Sequence, residues 1–425
     1  MNTSVPQTLA EAISCLSDYD PTALPVSRAR EIIERVVVPV EAVERVALRS
    51  ALGRVLAHDI ASPIDVPAAD NSAMDGYAVR AADLATDAPT TLVLVGTALA
   101  GRPFEGLAGP GQAVRVTTGA VMPAGLDTVV IQEMVTLDGE RLTVPAGQQQ
   151  GQHRRRRGED LARGKPALRA GKRLAPADLG LLASLGFPEV PVRRRLRVAF
   201  FSTGDELRSV GEPLGPGELY DSNRYTLYGM LARLGVELID LGVVRDDPGS
   251  LERAVRIASE CADAIVSSGG VSVGEADFTK QVMARLGDIA FWTIAMRPGR
   301  PMAFGRIGRA SYFGLPGNPV AVMITFYFFA RDALLRQMGA EPAPLPLVRA
   351  RSLSAFRKRP GRTEYQRARL ALEPDGTMSV RSFGSQGSGV LRSMAEANCV
   401  VVLHHDQGPV EIGDAVDCIA FEGLV

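Results

Sequence analysis

Residues 267–277 read SSGGVSVGEAD, between a mostly apolar run at 262–266 (ADAIV) and a helical pattern over 278–286. The run predicts a buried strand, so the small-residue stretch becomes a strand-to-helix loop. Such a loop exposes backbone N–H groups at a helix N-terminus, which suits an anion. Gly269 and Gly270 let a ligand approach the backbone closely. Glu275 and Asp277 close the loop with two carboxylates, which by themselves repel phosphate. A divalent cation resolves that conflict, because Mg2+ commonly joins carboxylates to substrate phosphates. The alternative is a glycine-rich turn whose acids cap the helix.

Strand and helix alternate on both sides of this loop. The pattern predicts strands at 196–201, 236–243, 262–266, 291–296, 302–306 and 311–315, and helices at 222–234, 248–261 and 320–338. Such alternation implies a parallel sheet with ligands at the carboxyl ends of its strands. Several polar motifs fall at those ends. Residues 202–207 (STGDEL) place Asp205 and Glu206 after the first strand, near the glycine loop; the alternative is helix capping by Thr203 or Asp205. In Arg245-Asp246-Asp247-Pro248 one acid caps the next helix, and Asp246 is taken as the free one. Arg297 and Arg300 sit among turn prolines and can hold an oxyanion by forked hydrogen bonds, or be plain surface arginines. Pro316-Gly317-Asn318-Pro319 places backbone amides at the head of the last helix.

The flanking regions read differently. Thr8 and Glu11 have capping-box spacing within a weakly ordered lead-in, and Ser27 is a candidate cap for a helix through 37. Short β-branched runs at 91–95, 113–116 and 128–132, with a hairpin at Asp138-Gly139, predict a β-rich domain. There, 70–77 (DNSAMDGY) is a polar loop, and Arg154 to Arg157 are a solvated charge run or an anion site beside Asp160. After 342–346 short strands return and predict a small β-barrel.

The 425 residues allow roughly three domains. A hydrophobic content of 46% with 22% charged residues gives a globular chain with a sizeable core, and a net charge of −1 offers no general case for nucleic acid. The four cysteines (Cys15, Cys261, Cys399, Cys418) form no C-x-x-C pair, which predicts reduced thiols in a cytoplasmic protein. No signal peptide or membrane span is expected. Four histidines without metal-ligand spacing weaken any imidazole-based mechanism. What remains is strand-end carboxylates, arginines and glycine-rich loops, an inventory suited to metal-assisted chemistry on a phosphorylated substrate.

With these motifs assembled, the chain resembles the molybdopterin molybdenumtransferase family, the molybdenum insertases related to the gephyrin E domain. The matching text is DNSAMDGYAV (70–79), TGAVMP (118–123), RRRGED (155–160), FSTGDEL (201–207), YDSNR (220–224), RDDP (245–248), SSGGVSVGEAD (267–277) and GLPGNPV (314–320). The resemblance runs from about residue 30 to the C-terminus. It implies a multidomain α/β plus β protein. The expected modules are a lead-in with a discontinuous, elongated linker domain (1–62 and 158–194), a β-rich domain (63–157), an α/β domain resembling the molybdopterin adenylyltransferase fold (195–343), and a C-terminal β-barrel (344–425).

The implied reaction converts adenylylated molybdopterin and molybdate to molybdenum cofactor and AMP, with Mg2+ as cofactor. The implied assembly is an elongated homodimer. Further partners by resemblance are the adenylyltransferase itself and molybdoenzyme maturation factors, with no nucleic acid and no membrane. Carried over by motif, the active-site acids are Asp75, Asp160, Glu206, Asp246 and Asp277, with Glu206, Asp246 and Asp277 as metal ligands. The substrate-binding set is Thr118, Gly269, Gly270, Ser272, Arg297, Arg300, Pro316, Gly317 and Asn318. One departure is Thr293, where family members often carry a lysine; Arg297 and Arg300 likewise stand in place of lysines. Two other readings are a non-catalytic molybdopterin-binding scaffold of the same fold, and the adenylating enzyme. The first does not need all five acids, and the second leaves Asp75 without a role.

Overall fold

A computed structural model describes residues 8–14, 19–271, 277–422 and 424. Its central module is a six-stranded sheet. The strand order is Glu237–Val244, Arg197–Thr203, Ala264–Ser268, Ala310–Leu315, Pro301–Ile307, Asp288–Thr293. The first four strands are parallel, as expected. The last two pairings are antiparallel, with Pro301–Ile307 alone running against the other five strands, so the sheet is mixed rather than all-parallel. Connector length explains the correction. A parallel return needs a crossover of a dozen or more residues. Only Gly308 and Arg309 separate Pro301–Ile307 from Ala310–Leu315, and the link from Thr293 to Pro301, residues 294–300, is also shorter than such a crossover.

Helices Ser222–Leu234 and Pro248–Cys261 flank this sheet. Asp221 caps the first by accepting from the Arg224 N–H, and Asp247 caps the second by accepting from Ser250 N–H at 2.9 Å. Proline at the first helical position after Asp247 fixes the start of that helix. The long helix expected at 320–338 begins at Pro319 and is interrupted by a π turn over Phe326–Ala330. Thr325, next to that turn, bonds its hydroxyl back to Ala321 O at 2.7 Å, a contact that competes with the helical ladder.

The lead-in is more integrated than its composition suggests. Thr8 and Glu11 do form the capping box, at 3.2 and 3.3 Å, and start the helix Leu9–Ser14. Helix Val26–Val36 has Pro25 at its cap position, so Ser27 lies inside the first turn and caps nothing. Leu9, Leu24, Ile32 and Ile33 are buried in the same core as Phe200, Phe304 and Leu334. This N-terminal segment therefore packs on the α/β module, where sequence alone grouped it with the linker.

Chain segments on either side of the β-rich region share one core. Val43–Ala47 pairs with Glu189–Arg193 and Ile60–Ala61 with Pro166–Leu168, over buried Leu56, Leu174, Leu182 and Val190. The β-rich region holds its own six-stranded sheet, including the hairpin that pairs Asp138 with Arg141. At the C-terminal end, Thr363–Leu372, Met378–Ser382, Val348–Ser352, Ala415–Ala420 and Cys399–Leu403 close on themselves as a five-stranded barrel. Met296–Arg297 adds to the barrel strand Thr363–Leu372 in parallel, tying barrel to α/β module. The described cysteines (Cys261, Cys399, Cys418) are free thiols. Among the described residues no helix is long and apolar enough to cross a membrane.

Candidate active site

The strand order creates a switch point. From Arg197–Thr203 the chain places its next strand on one side and Ala264–Ser268 on the other. Ligands of open α/β sheets bind at the carboxyl ends of strands where the order reverses in this way. A cleft of ≈ 1080 Å³ opens there. It contains Glu206, Asp246, Gly269, Gly270, Arg297, Arg300, Pro316, Gly317 and Asn318, nine of the expected residues from five separate loops. A second cavity of ≈ 690 Å³, between helix Val26–Val36 and the barrel, contains none of them.

The loops are tied together from below. Thr203 donates its hydroxyl to Asp246 Oδ1 at 3.1 Å, and the Asp246 N–H reaches Asp205 Oδ1 at 3.3 Å. No helix follows Asp205, which removes the capping alternative for 202–207; Asp205 orients the Asp246 loop instead. Since Asp247 is the cap, Asp246 is the free acid, as expected. Gly269 sits at φ +94°, and a Cβ there would lie 2.4 Å from the Thr203 carbonyl oxygen. Only glycine lets these two strand ends meet. Gly269→Ala is expected to cost about 1–3 kcal/mol through backbone strain, measured as a lower unfolding midpoint, and to prise the cleft open.

Asn223 completes the floor. Its side-chain N–H group donates to Ser268 Oγ at 2.8 Å and to Gly317 O at 2.6 Å, joining the glycine loop to the Pro-Gly-Asn-Pro turn. Asn223 was quoted only as part of YDSNR and was not assigned to the site. A further wall comes from the barrel, through Gln386, Gly387, Ser388 and Gly389. Nothing in the sequence placed that segment here.

Arg297 and Arg300 are exposed in the cleft and pair with no described carboxylate. Thr293 does not line the cleft. Its backbone is used structurally, donating to Pro21 O and accepting from Leu24 N. Ser272 and Glu275 lie outside the described residues. Asp277 opens the helix Asp277–Leu286, but its side chain is outside the described set as well.

The remaining expected residues lie elsewhere. Asp75 Oδ1 accepts from Thr118 N–H at 2.6 Å and from the Thr118 hydroxyl at 2.9 Å. The backbone bond first, and the hydroxyl second, hold the Asp75 carboxyl below its ordinary range. Asp160 is exposed in the turn that follows the arginine run. Within that run, Arg154 is taken by Asp70, and Arg157 by Asp65 at 2.6 Å, so half of the run is committed to ion pairs. No described residue of 63–157 lines the cleft.

An α/β nucleotide-type cleft walled by a barrel, with a separate acid-bearing β module, defines a multidomain enzyme-like fold rather than a single binding domain. Three family models cover the chain in order: MoeA N-terminal region (domain I and II) at 24–186, probable molybdopterin binding domain at 199–336, and MoeA C-terminal region (domain IV) at 349–421. The molybdopterin molybdenumtransferase of Haemophilus influenzae is 41% identical over 397 residues, covering 93% of this chain and 98% of that protein. One from a Nostoc species is 39% identical over 369 residues, covering 85% and 84%. A solved molybdopterin biosynthesis MoeA protein from Pyrococcus horikoshii superposes with TM-score 0.82 at 28% identity, covering 94% of this chain and 100% of that one. The chain belongs to the molybdopterin molybdenumtransferase (MoeA) family.

Proposed function

We propose that this protein acts in molybdenum cofactor biosynthesis as a molybdenumtransferase. It takes adenylylated molybdopterin and molybdate, delivers the metal to the pterin dithiolene, and releases AMP. The observation that carries this reading is the cleft itself: two strand-end acids, two arginines that pair with no described carboxylate, and a glycine-rich loop face one volume in a chain of this family. Family membership and the motif match favour the same reaction. The reading makes the protein a cytoplasmic homodimer that meets the adenylyltransferase as supplier of its substrate.

The donor chemistry fits Mg2+. Glu206 and Asp246 offer hard oxygen ligands in one cleft, and Asp277 would be the third. Among the described residues no cluster of three such side chains is assembled. Mg2+ tolerates this, because it commonly keeps waters and takes one or two carboxylates plus substrate phosphates. When bound it would neutralise the pyrophosphate charge beside the acids. The protein's own groups do the rest. The Gly269 N–H is committed to Leu315 O at 3.1 Å, so the Gly270 amide is the one placed to receive a phosphate oxygen. Arg297 and Arg300 draw in the tetrahedral oxyanion, which carboxylates repel. The floor built by Asn223 and Thr203 holds these loops in register.

The test is incubation of the purified protein with adenylylated molybdopterin, molybdate and Mg2+. AMP release coupled to activation of an apo-molybdoenzyme is the expected result. Consumption of ATP with free molybdopterin would instead identify an adenylating enzyme, and binding without turnover a scaffold. Arg300→Ala is expected to raise the molybdate needed for half-maximal insertion about tenfold, since one charge-assisted bond is lost. Adenylate binding should change less. An unchanged molybdate dependence would move the anion site away from this turn.

A further inference from the structure

Among the described residues Arg367 is the largest fully buried side chain, 1% exposed, on the barrel strand Thr363–Leu372. It pairs with no described carboxylate. Its guanidinium donates to Ser385 O and Gln386 O, each at 3.3 Å, to Gly387 O at 2.9 Å and to Ser393 Oγ at 3.0 Å. Burial first, and the charge of Arg297 second, push its pKa down to about 10, so it stays charged at neutral pH. Strand alternation puts Arg367 on the same face as Tyr365, toward the α/β module, while Ala368 points into the barrel. A buried cation is costly, and an apolar residue would fill this seam more cheaply. What an apolar residue cannot supply is a rigid fork of donors aimed at successive carbonyls.

Those carbonyls belong to the segment that walls the cleft. Gln386 clamps the same segment to the Arg367 backbone with its side chain. Its side-chain oxygen accepts from Arg367 N–H at 2.9 Å, and its amide group donates to Arg367 O at 3.0 Å. Two residues on, Ser388 O accepts from Val320 N–H at 3.0 Å, satisfying a first-turn donor of the long helix. The strand that carries Arg367 also pairs with Met296–Arg297. One barrel strand thus sets both the 385–389 wall and the turn that bears Arg297 and Arg300.

We propose that Arg367 is a positioning residue for the cleft: from the outer face of the barrel it fixes the 385–389 turn against the arginine-bearing turn, and so sets the affinity for the oxyanion substrate. The barrel then acts as the backing plate of the site. The kinetic part rests on the proposed molybdenumtransferase reading, while the structural part does not.

The experiment compares the full-length parent with Arg367→Met and Arg367→Lys. Hydrogen exchange of the 384–391 segment, followed by mass spectrometry without ligand, is expected to quicken at least about tenfold in Arg367→Met, as a local opening detached from global unfolding. The KM for molybdate should rise about tenfold with kcat nearly kept, the loss of a few charge-assisted bonds acting on binding. Arg367→Lys should recover part of both. Should Arg367→Met fail to fold, Gln386→Ala removes the side-chain bonds from the same turn to the Arg367 backbone and should give the same pattern. Unchanged exchange of the segment in a folded variant overturns the proposal, as does a fall in kcat with KM unmoved. If the parent itself releases no AMP, the proposed function has failed, and the exchange result alone decides Arg367.

Discussion

Asp246→Asn should lower AMP release about 100-fold while leaving the fold intact, the scale on which preorganised charge at a reacting centre contributes. The substitution is nearly isosteric. The amide oxygen can still accept from the Thr203 hydroxyl, and the backbone N–H still reaches Asp205. Only the charge facing the cleft is lost. The neighbouring acid supplies the control. Asp247→Ala removes the N-cap of Pro248–Cys261 and should cost about 1 kcal/mol of stability, with a far smaller effect on turnover. If the two variants trade these outcomes, the assignment of capping and catalytic acids is reversed. If Asp246→Asn turns over like the parent, Asp246 plays no part in the chemistry.

The choice between these two acids was legible because proline follows the second one. A cap directly before a proline at the first helical position is a local rule, needing no tertiary information. The same is true of the parallel strands and their helices, which periodicity and caps delimit. Features set by distant partners were not legible. Asn223 meets Ser268 and Gly317, which lie 45 and 94 residues away, so no window of sequence reveals its bridging role. The barrel wall reaches the cleft because Met296–Arg297 pairs with Thr363–Leu372, and a two-residue pairing leaves no periodic trace. The one reversed strand, Pro301–Ile307, escaped the sequence for a different reason. Strand content was right, but connector length, which dictates direction, was not weighed. Asp75 and Thr118 stood out only by resemblance, since a polar loop of this composition is also an ordinary Asx-rich turn.

That second set of residues leads to the strongest test of the site as a whole. Asp75 is oriented by two hydrogen bonds from Thr118, which also lower its pKa, yet no described residue of its module lines the cleft. A single chain therefore offers a cleft on one side and a prepared carboxylate elsewhere. Beside the cleft, Leu219 and Tyr220 are 49% and 42% exposed, and Tyr225 and Tyr228 on the adjoining helix are each 53% exposed. Apolar surface at a site mouth is a common mark of a partner surface. The proposed homodimer reconciles these facts if each site joins the α/β cleft of one subunit to the β-rich module of the other. Two such sites then follow from two-fold symmetry. Asp75→Asn and Asp246→Asn homodimers should both be nearly inactive. Heterodimers of the two, co-expressed with different tags and purified through both, should hold one site with both defects and one with neither. Their activity should return to about half that of the parent dimer, because one of two equivalent sites is intact. Restoration cannot occur if each site lies within one chain, since every chain in the mixture carries a defect. Verified heterodimers that remain as inactive as either homodimer would therefore place Asp75 and Asp246 in the same subunit's site.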